Sequence, residues 1–302
     1  MASFLVMVQS ANFYQNSNSR RLIPPGTPAD WSYKMKVSRS VTDLARPCAF
    51  VPTMGALHAG HQSLIEIAKN YAQETVISVF VNPLQFEDKT DLAKYPKTPE
   101  VDEALAREAG ATFLWRPEVS DIYPGDEVKL SAGALGKIYE GASRTGHFDG
   151  VLTVVNQLFN LVKPKYAIFG EKDFQQLFLI KEMAAKLHPD IEIIAAPTIR
   201  DINGLALSSR NRRLSSEGLT AAISINNALG KAATKDRVSD MRKALLEINE
   251  PTFILDYAEI IDEETFAIAD ENTRKPRAII AGWIEGIRLI DNLAMNPALV
   301  RA

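Results

Sequence analysis

From Ala49 to Ala195, short apolar, β-branched runs alternate with longer stretches whose apolar residues recur at helical spacing. Few folds accept that alternation. Ala49-Phe50-Val51, Thr75 to Val81, Thr112 to Trp115, Tyr166 to Phe169 and Ile191 to Ala195 read as strands. Between them, Gly60 to Gln73 places Leu64, Ile65, Ala68 and Tyr71 at helical intervals. Pro99 to Gly110 opens on Pro and closes on Gly, and Gly150 to Val162 stops before Pro164. Phe174 to Leu187 is a further helix, ended by His188-Pro189. Repeated strand–helix–strand units predict an α/β fold, a parallel sheet with helices on both faces.

The character changes near residue 200. Arg200 to Leu214 is polar and loop-like, helical patterns follow through Asn249, Phe253 to Ile261 alternates as a strand, and Ala278 to Leu289 is an apolar stretch broken by Gly282 and Gly286. A boundary near Asp201 is expected, giving a sheet domain over 35–200 and a smaller α+β domain over 201–302. The first 34 residues hold one short apolar tip, Phe4 to Val8, then Asn, Ser, Gln, Arg and Pro-Pro-Gly. The tip is shorter than the roughly 7–15 residues of a secretory core. The Ser and Arg content, with Asp30 as the one acid before Met35, is compatible with a transit peptide. With little to bury, the segment reads instead as a disordered arm or as an extension upstream of a start at Met35.

Charge narrows the function. Lys and Arg total 34 against 37 Asp and Glu, a formal charge of −3, so no broad field draws nucleic acid or an anionic membrane. No apolar run approaches the ~18 residues that would span a bilayer. The single cysteine, Cys48, cannot close an internal disulfide, and a reducing, cytoplasmic setting is expected.

In an open parallel sheet, ligands bind beyond the carboxyl ends of the strands, so the segment after each strand matters. Pro52-Thr53-Met54-Gly55-Ala56-Leu57-His58-Ala59-Gly60-His61 runs from the first strand into a helix, whose free N–H groups suit phosphate. His58 and His61 could donate to phosphoryl oxygens there, with Gly60 allowing close approach. His-x-x-His can also chelate zinc, but no Cys, Asp or Glu nearby completes a ligand set. Asn82 and Gln85 after the second strand offer neutral amides to a small polar substrate. Gly170-Glu171-Lys172-Asp173 combines close approach, a mobile cation and a carboxylate suited to nucleotide, and Leu207-Ser208-Ser209-Arg210-Asn211 suits a triphosphate clamp. Each of these segments also has a plain reading as a capped helix start or a surface loop. Gly-x-x-x-x-Gly-Lys-[Ser/Thr], Gly-x-Gly-x-x-Gly and Gly-x-Ser-x-Gly are absent, which leaves dehydrogenase and serine hydrolase readings without support.

Six segments in order resemble the pantothenate synthetase (pantoate–β-alanine ligase) family: Pro52 to His61, Val81 to Phe86, Tyr95-Pro96-Lys97-Thr98, Gly146 to Val151, Gly170 to Gln176 and Gly204 to Asn211. The resemblance runs from about residue 36 to the end. It implies a Rossmann-like adenylating domain, a smaller C-terminal domain and a homodimer. It also implies ATP as substrate with Mg²⁺, attack of pantoate on the α-phosphate to give pantoyl adenylate and pyrophosphate, and displacement of AMP by β-alanine. By position, Met54, Gly55, Ala56, Leu57, His58, Ala59, Gly60 and His61 would line the ATP site, with His61 the catalytic acid and His58 beside it. Gly170, Glu171, Lys172, Asp173, Ile199, Leu207, Ser208, Ser209 and Arg210 would complete it. Gln85 and Gln176 would hold pantoate, and Gln85 would also meet β-alanine.

Phosphoryl chemistry needs alignment and charge stabilisation, which His58, His61, Lys172, Ser208, Ser209 and Arg210 can supply. Pantoate's carboxylate is already ionised at neutral pH, so His61 is expected as a transition-state donor before a proton shuttle. Three departures stand out: Lys97 where Arg is common, Thr145 in place of a common Pro, and a segment between Val41 and Phe50 about ten residues short, which predicts a stunted first helix. A nucleotidyltransferase that keeps the nucleotide on its product, and a nucleotide-binding regulator without catalysis, are the rival readings. AMP release separates the first, and pyrophosphate release the second.

Overall fold

Six strands, β1 (Lys36–Ser38), β2 (Cys48–Thr53), β3 (Glu74–Val79), β4 (Phe113–Trp115), β5 (Tyr166–Gly170) and β6 (Glu192–Ala196), pair in the order β1-β4-β3-β2-β5-β6. Every pair is parallel. The computed structural model describes residues 35–86, 92–93 and 95–295, so the expectations for residues 1–34 lie outside the described residues. Both sheets and the cleft belong to one of the chain's two units, Lys34–Ala302.

Full burial of β2 explains its place at the centre. Phe50 points to one face and Ala49 and Val51 to the other, and none is exposed, so helices must cover both faces. On one face, α1 (Ala59–Ala68) and α2 (Pro99–Ala109) bring Ile65, Ala68, Ala106 and Ala109 against Val51, Ile77 and Ile168. On the other, α3 (His147–Val162) and α4 (Phe174–Leu187) pack Val155, Phe159 and Ile180 against Phe50, Val76 and Phe169. Each fully buried side chain of this size contributes roughly 1.5–3 kcal/mol over exposure. Cys48 is among them, and burial raises its thiol to about 11.

The sheet matters most for where it reverses direction. Chain connections run one way from β2 through β3 and β4, and the other way to β5 and β6, opening a crevice beyond the carboxyl ends of β2 and β5. After β6 come two helices, α5 (Ser216–Ala233) and α6 (Val238–Leu246), and an antiparallel sheet of β7 (Ile254–Asp262), β8 (Pro276–Ile284) and β9 (Ile287–Ala294). Ile225, Leu229, Met241 and Leu245 bury against Ile260, Ala278 and Ile280, a second core.

Several elements differ from their expected form. No helix forms between β1 and β2, where a stunted one is expected, and β1 itself pairs at the sheet edge with β4. Helix α1 stops at Ala68, short of Gln73, and α3 begins at His147, three residues before Gly150. The apolar stretch from Ala278 to Leu289 is a hairpin whose turn places Glu285 and Gly286 at φ of 52° and 72°. Among the described residues, no helix is long and apolar enough to cross a membrane.

Candidate functional site

The first wall grows from the end of β2. Thr53 Oγ1 donates to the Ser78 carbonyl (2.7 Å) and accepts the Gly55 N–H (3.2 Å), turning the chain out of the sheet. Gly55 and Ala56 then adopt φ of 82° and 50°. For alanine that left-handed conformation is disfavoured, and Asp102 holds it in place. From the first turn of α2 its carboxylate, 1% exposed, accepts the Ala56 N–H (3.2 Å), the Leu57 N–H (2.8 Å) and the Thr98 hydroxyl (3.0 Å).

The chain enters α1 with His58 as N-cap, its Nδ1 accepting the Gly60 N–H at 3.1 Å. An accepting Nδ1 leaves the proton of the neutral ring on Nε2, where it can be donated to a ligand. Burial, then Lys172 and Arg212, push His58 down to about 4. Burial, then His58 itself, push His61 down to about 3. Both rings are therefore neutral at pH 7, and their centroids lie 4.2 Å apart. Gly60 makes room for this, since a Cβ there would stand 2.8 Å from the His58 ring. His61 Nδ1 is buried with no partner among the described residues, which is destabilising unless a ligand atom meets it.

The second wall starts after β3, where Asn82 caps a single helical turn, Pro83–Gln85. Asn82 Oδ1 accepts the Leu84 N–H (3.1 Å) and the Tyr123 hydroxyl (2.6 Å), and Nδ2 donates to Gln85 Oε1 (3.1 Å) and the Gly150 carbonyl (3.0 Å). Asn82 thus takes the helix-cap role: it lines the cleft, but its amide is buried and fully engaged, and it holds Gln85 in place. Gln85 Nε2 points at Met54 Sδ, 2.7 Å away. A thioether is a weak acceptor, so a ligand oxygen can take that donor.

Helix α3 presses on this turn. His147 Nδ1 lies 3.1 Å from the Gln85 carbonyl and Nε2 lies 2.8 Å from Arg144. Arginine cannot accept, so Nε2 accepts and Nδ1 donates, the neutral tautomer. Burial and the Arg144 charge push His147 down to about 3. Burial and Arg210 lower Arg144 to about 10, which leaves it charged at pH 7. Further along α3, Val151, Val154, Val155 and Leu158 recur at i, i+3, i+4 and i+7 and turn an apolar stripe toward the same space.

The third wall joins the end of β5 to the loop after β6. Lys172 and Asp173 come from a short turn before α4, and Gln176 from its first turn. Ser208 caps the turn Ser209–Arg213, its Oγ accepting the Arg210 N–H (3.2 Å), and the Ile199 carbonyl accepts the Leu207 N–H (2.9 Å). Asp173 reaches water through the cleft mouth although protein encloses it. Desolvation raises its carboxyl, but Lys172, Arg210 and Arg144 outweigh that and hold it below the ordinary range. It is the one acid lining the cleft among the described residues, against three cations.

These walls enclose a cleft of about 300 Å³. The structure brings Met54, His58, Gly60, His61, Gln85, Gly170, Lys172, Asp173, Gln176, Ile199, Leu207, Ser208, Ser209 and Arg210 together around it. Gly55, Ala56, Leu57, Ala59 and Glu171 do not line it. Ala56 and Leu57 are buried behind the wall on Asp102, and the Glu171 carboxylate turns toward Arg277 at 3.5 Å. Lys97 and Thr145 are exposed and do not line the cleft. Tyr95, Arg144 and His147 do line it, residues that the sequence marks only as members of motifs or their neighbours.

Comparison with known proteins places this arrangement. The profile of the Pantoate-beta-alanine ligase family matches residues 31–294. A pantothenate synthetase of Rhizorhabdus wittichii is 43% identical over 281 residues, covering 87% of this chain and 100% of that protein. The crystal structure of pantothenate synthetase from Thermus thermophilus aligns with a TM-score of 0.82 at 40% identity, covering 87% of this chain and 100% of its own. That of pantoate-beta-alanine ligase from Francisella tularensis, complexed with beta-gamma ATP and beta-alanine, aligns with a TM-score of 0.70 at 32% identity, covering 86% and 97%.

Proposed function

The chain belongs to the pantoate-beta-alanine ligase family, and on that premise we propose that it condenses pantoate with β-alanine, using ATP, through a pantoyl adenylate. The observation that carries this reading is one cleft in which an apolar stripe and two glutamine amides face two neutral imidazoles and three cations. A small hydroxy acid with a branched hydrocarbon body needs the first set, and a triphosphate needs the second.

In the first step, a pantoate carboxylate oxygen attacks the α-phosphorus of ATP. The new C–O–P bond forms as the bond to the β-phosphate oxygen breaks, and pyrophosphate leaves. The attacking carboxylate is already ionised, so no residue needs to remove a proton. Gln85 Nε2 and Gln176 orient pantoate, while Val151, Val154, Val155 and Leu158 exclude water around its hydrocarbon. His58, through Nε2–H, and His61 donate to phosphoryl oxygens as charge grows there, assisted by Lys172, Ser208, Ser209 and Arg210. Neutral imidazoles suit that role because they donate without giving up a proton. In the second step, the β-alanine amine forms a C–N bond at the acyl carbon, the C–O bond to phosphate breaks, and AMP and one proton leave.

Magnesium enters with ATP as part of the substrate. Asp173 alone among the described residues offers the cleft a carboxylate, and no group of three metal-binding side chains occurs among them. That donor set fits a cation carried mainly by phosphate oxygens and its own waters.

The test is pantoate-dependent exchange of labelled pyrophosphate into ATP, with β-alanine left out. Exchange that requires pantoate supports the adenylate. Exchange supported equally by unrelated acids, or none, removes the assigned substrate.

A further inference from the structure

We propose that Asn292, on β9 of the small sheet, is a positioning residue that aims Lys172 into the cleft. Its amide Nδ2 donates to both the Glu171 carbonyl (2.9 Å) and the Lys172 carbonyl (2.9 Å). Those two oxygens belong to the peptide groups on either side of the Lys172 Cα. One side chain thus fixes both peptide planes flanking the lysine, and with them the direction of its Cα–Cβ bond. The Lys172 side chain makes no hydrogen bond or ion pair among the described residues, so its backbone sets where the ammonium can reach.

The amide cannot turn over. Asn292 Oδ1 accepts from Arg277 Nη1 at 2.5 Å, and a flip would set a carbonyl oxygen against two others while an NH₂ faced a guanidinium. Arg277 is itself held by Glu263 (2.7 Å) and lies 4.0 Å over the ring of Phe174, the first residue of α4. Both Arg277 and Asn292 are buried.

The neighbouring residue on β9 grips the other segment of the same wall, the loop after β6. Asp291 takes Arg200 in a two-bond fork (2.6 and 2.9 Å), and Arg200 also donates to the Gly204 carbonyl (3.0 Å) within the loop that leads to Ser208, Ser209 and Arg210. Consecutive residues of one strand therefore hold the lysine segment and the serine–arginine loop at a set spacing. The small sheet acts as a template for the phosphate side of the cleft.

This assignment rests on the nucleotide reading of the site, and its test separates the two. Asn292→Ala and Asn292→Asp are made in the full chain, with thermal unfolding to confirm that each folds. Misplacing one donor lowers the turnover of pantoate-dependent pyrophosphate exchange by about 10- to 100-fold. The Michaelis constant for pantoate should stay within about twofold, since its amides lie elsewhere. In a Lys172→Ala background the same Asn292 change should lower exchange by less than about twofold, because a residue that acts through the lysine has nothing left to position. Independently of activity, reductive methylation with ¹³C-formaldehyde gives each lysine a dimethylamino signal, and the Lys172 signal is identified by its loss in Lys172→Ala. Asn292→Asp should shift that signal and leave the other lysine signals in place.

Folded Asn292 variants with wild-type exchange would overturn the proposal, as would equal losses with and without Lys172. An unmoved Lys172 signal overturns it whatever the exchange rates. If the unaltered chain shows no pantoate-dependent exchange, the functional reading falls and the lysine signal alone decides the positioning role. Should Asn292→Ala not fold, Asn292→Asp, of the same shape, carries the same comparisons.

Discussion

Two glycines inside helices should respond to alanine with opposite signs. Alanine replaces glycine in a helix with a gain of about 1 kcal/mol where nothing else changes. Gly230 in α5 is such a place, with nothing within 4 Å of where its Cβ would stand. Gly150 in α3 is not. A Cβ there would lie 2.2 Å from the Leu84 carbonyl oxygen, 2.5 Å from its carbon and 2.8 Å from the Gln85 nitrogen. All three are backbone atoms, so relief requires α3 to back away from the Pro83–Gln85 turn. Contacts this short put the cost near the upper end of overpacking, about 3 kcal/mol, which leaves Gly150→Ala about 2 kcal/mol less stable after the helical gain. At roughly 2–4 °C per kcal/mol for a chain of this size, its melting temperature should drop by about 4–8 °C while Gly230→Ala rises by about 2–4 °C.

The same retreat loosens the Asn82–Gly150 and His147–Gln85 hydrogen bonds, so the pantoate Michaelis constant of Gly150→Ala should rise by about tenfold. Differential scanning fluorimetry and steady-state kinetics on the two variants and the parent suffice. A Gly150→Ala protein that melts no lower than the parent and keeps its pantoate constant would refute the tight helix–turn contact and the role given to it.

His61→Ala should lower the turnover of adenylate formation by about 10²–10³ with little change in pantoate binding, measured by pyrophosphate exchange. Gln85→Ala should instead raise the pantoate Michaelis constant more than it lowers turnover, because an orienting amide acts in ground and transition states alike. Asp102→Ala leaves the buried Ala56 and Leu57 N–H groups unpaired at about 1–3 kcal/mol each, and should lower the melting temperature more than Glu103→Ala on the same helix. Acid should also destabilise the fold through the site imidazoles. They are held at about 4 for His58 and about 3 for His61 and His147, against 6.5 when unfolded. Between those values the unfolded chain binds more protons, so stability falls as pH drops from about 6.5 toward 4. A melting-temperature series over that range should slope downward into acid, and His58→Gln with His61→Gln should flatten it.

Local chemistry makes much of this molecule legible. Phe174–Leu187 forms over the residues expected because helical spacing and a following His-Pro both mark it. The polar residues that line the cleft are visible because each follows a strand, where an open parallel sheet puts its ligands. Less visible are features decided by distant partners. β1 has three residues and polar ends, and only pairing with β4 makes it a strand. The turn of the β8–β9 hairpin hides behind Glu285, a residue seldom found at positive φ. Asp102 looks like an ordinary acid in a first helical turn, yet it is buried on a loop 45 residues away. Asn292 lies 120 residues from the carbonyl it holds, and spacing along one sequence carries no trace of that.

The burial of Cys48 gives the chain a built-in gauge of its own opening. It is the sole cysteine, it sits unexposed at the start of the central strand, and its thiol is held at about 11. Alkylating reagents attack thiolate, so the native protein should be nearly inert to them at neutral pH. Modification then waits for β2 to come free, and a timed pulse of iodoacetamide followed by mass measurement counts the molecules in which it has. Any cysteine introduced at the surface becomes, by the same logic, the one site that takes a fluorophore or spin label without first mutating the native thiol away.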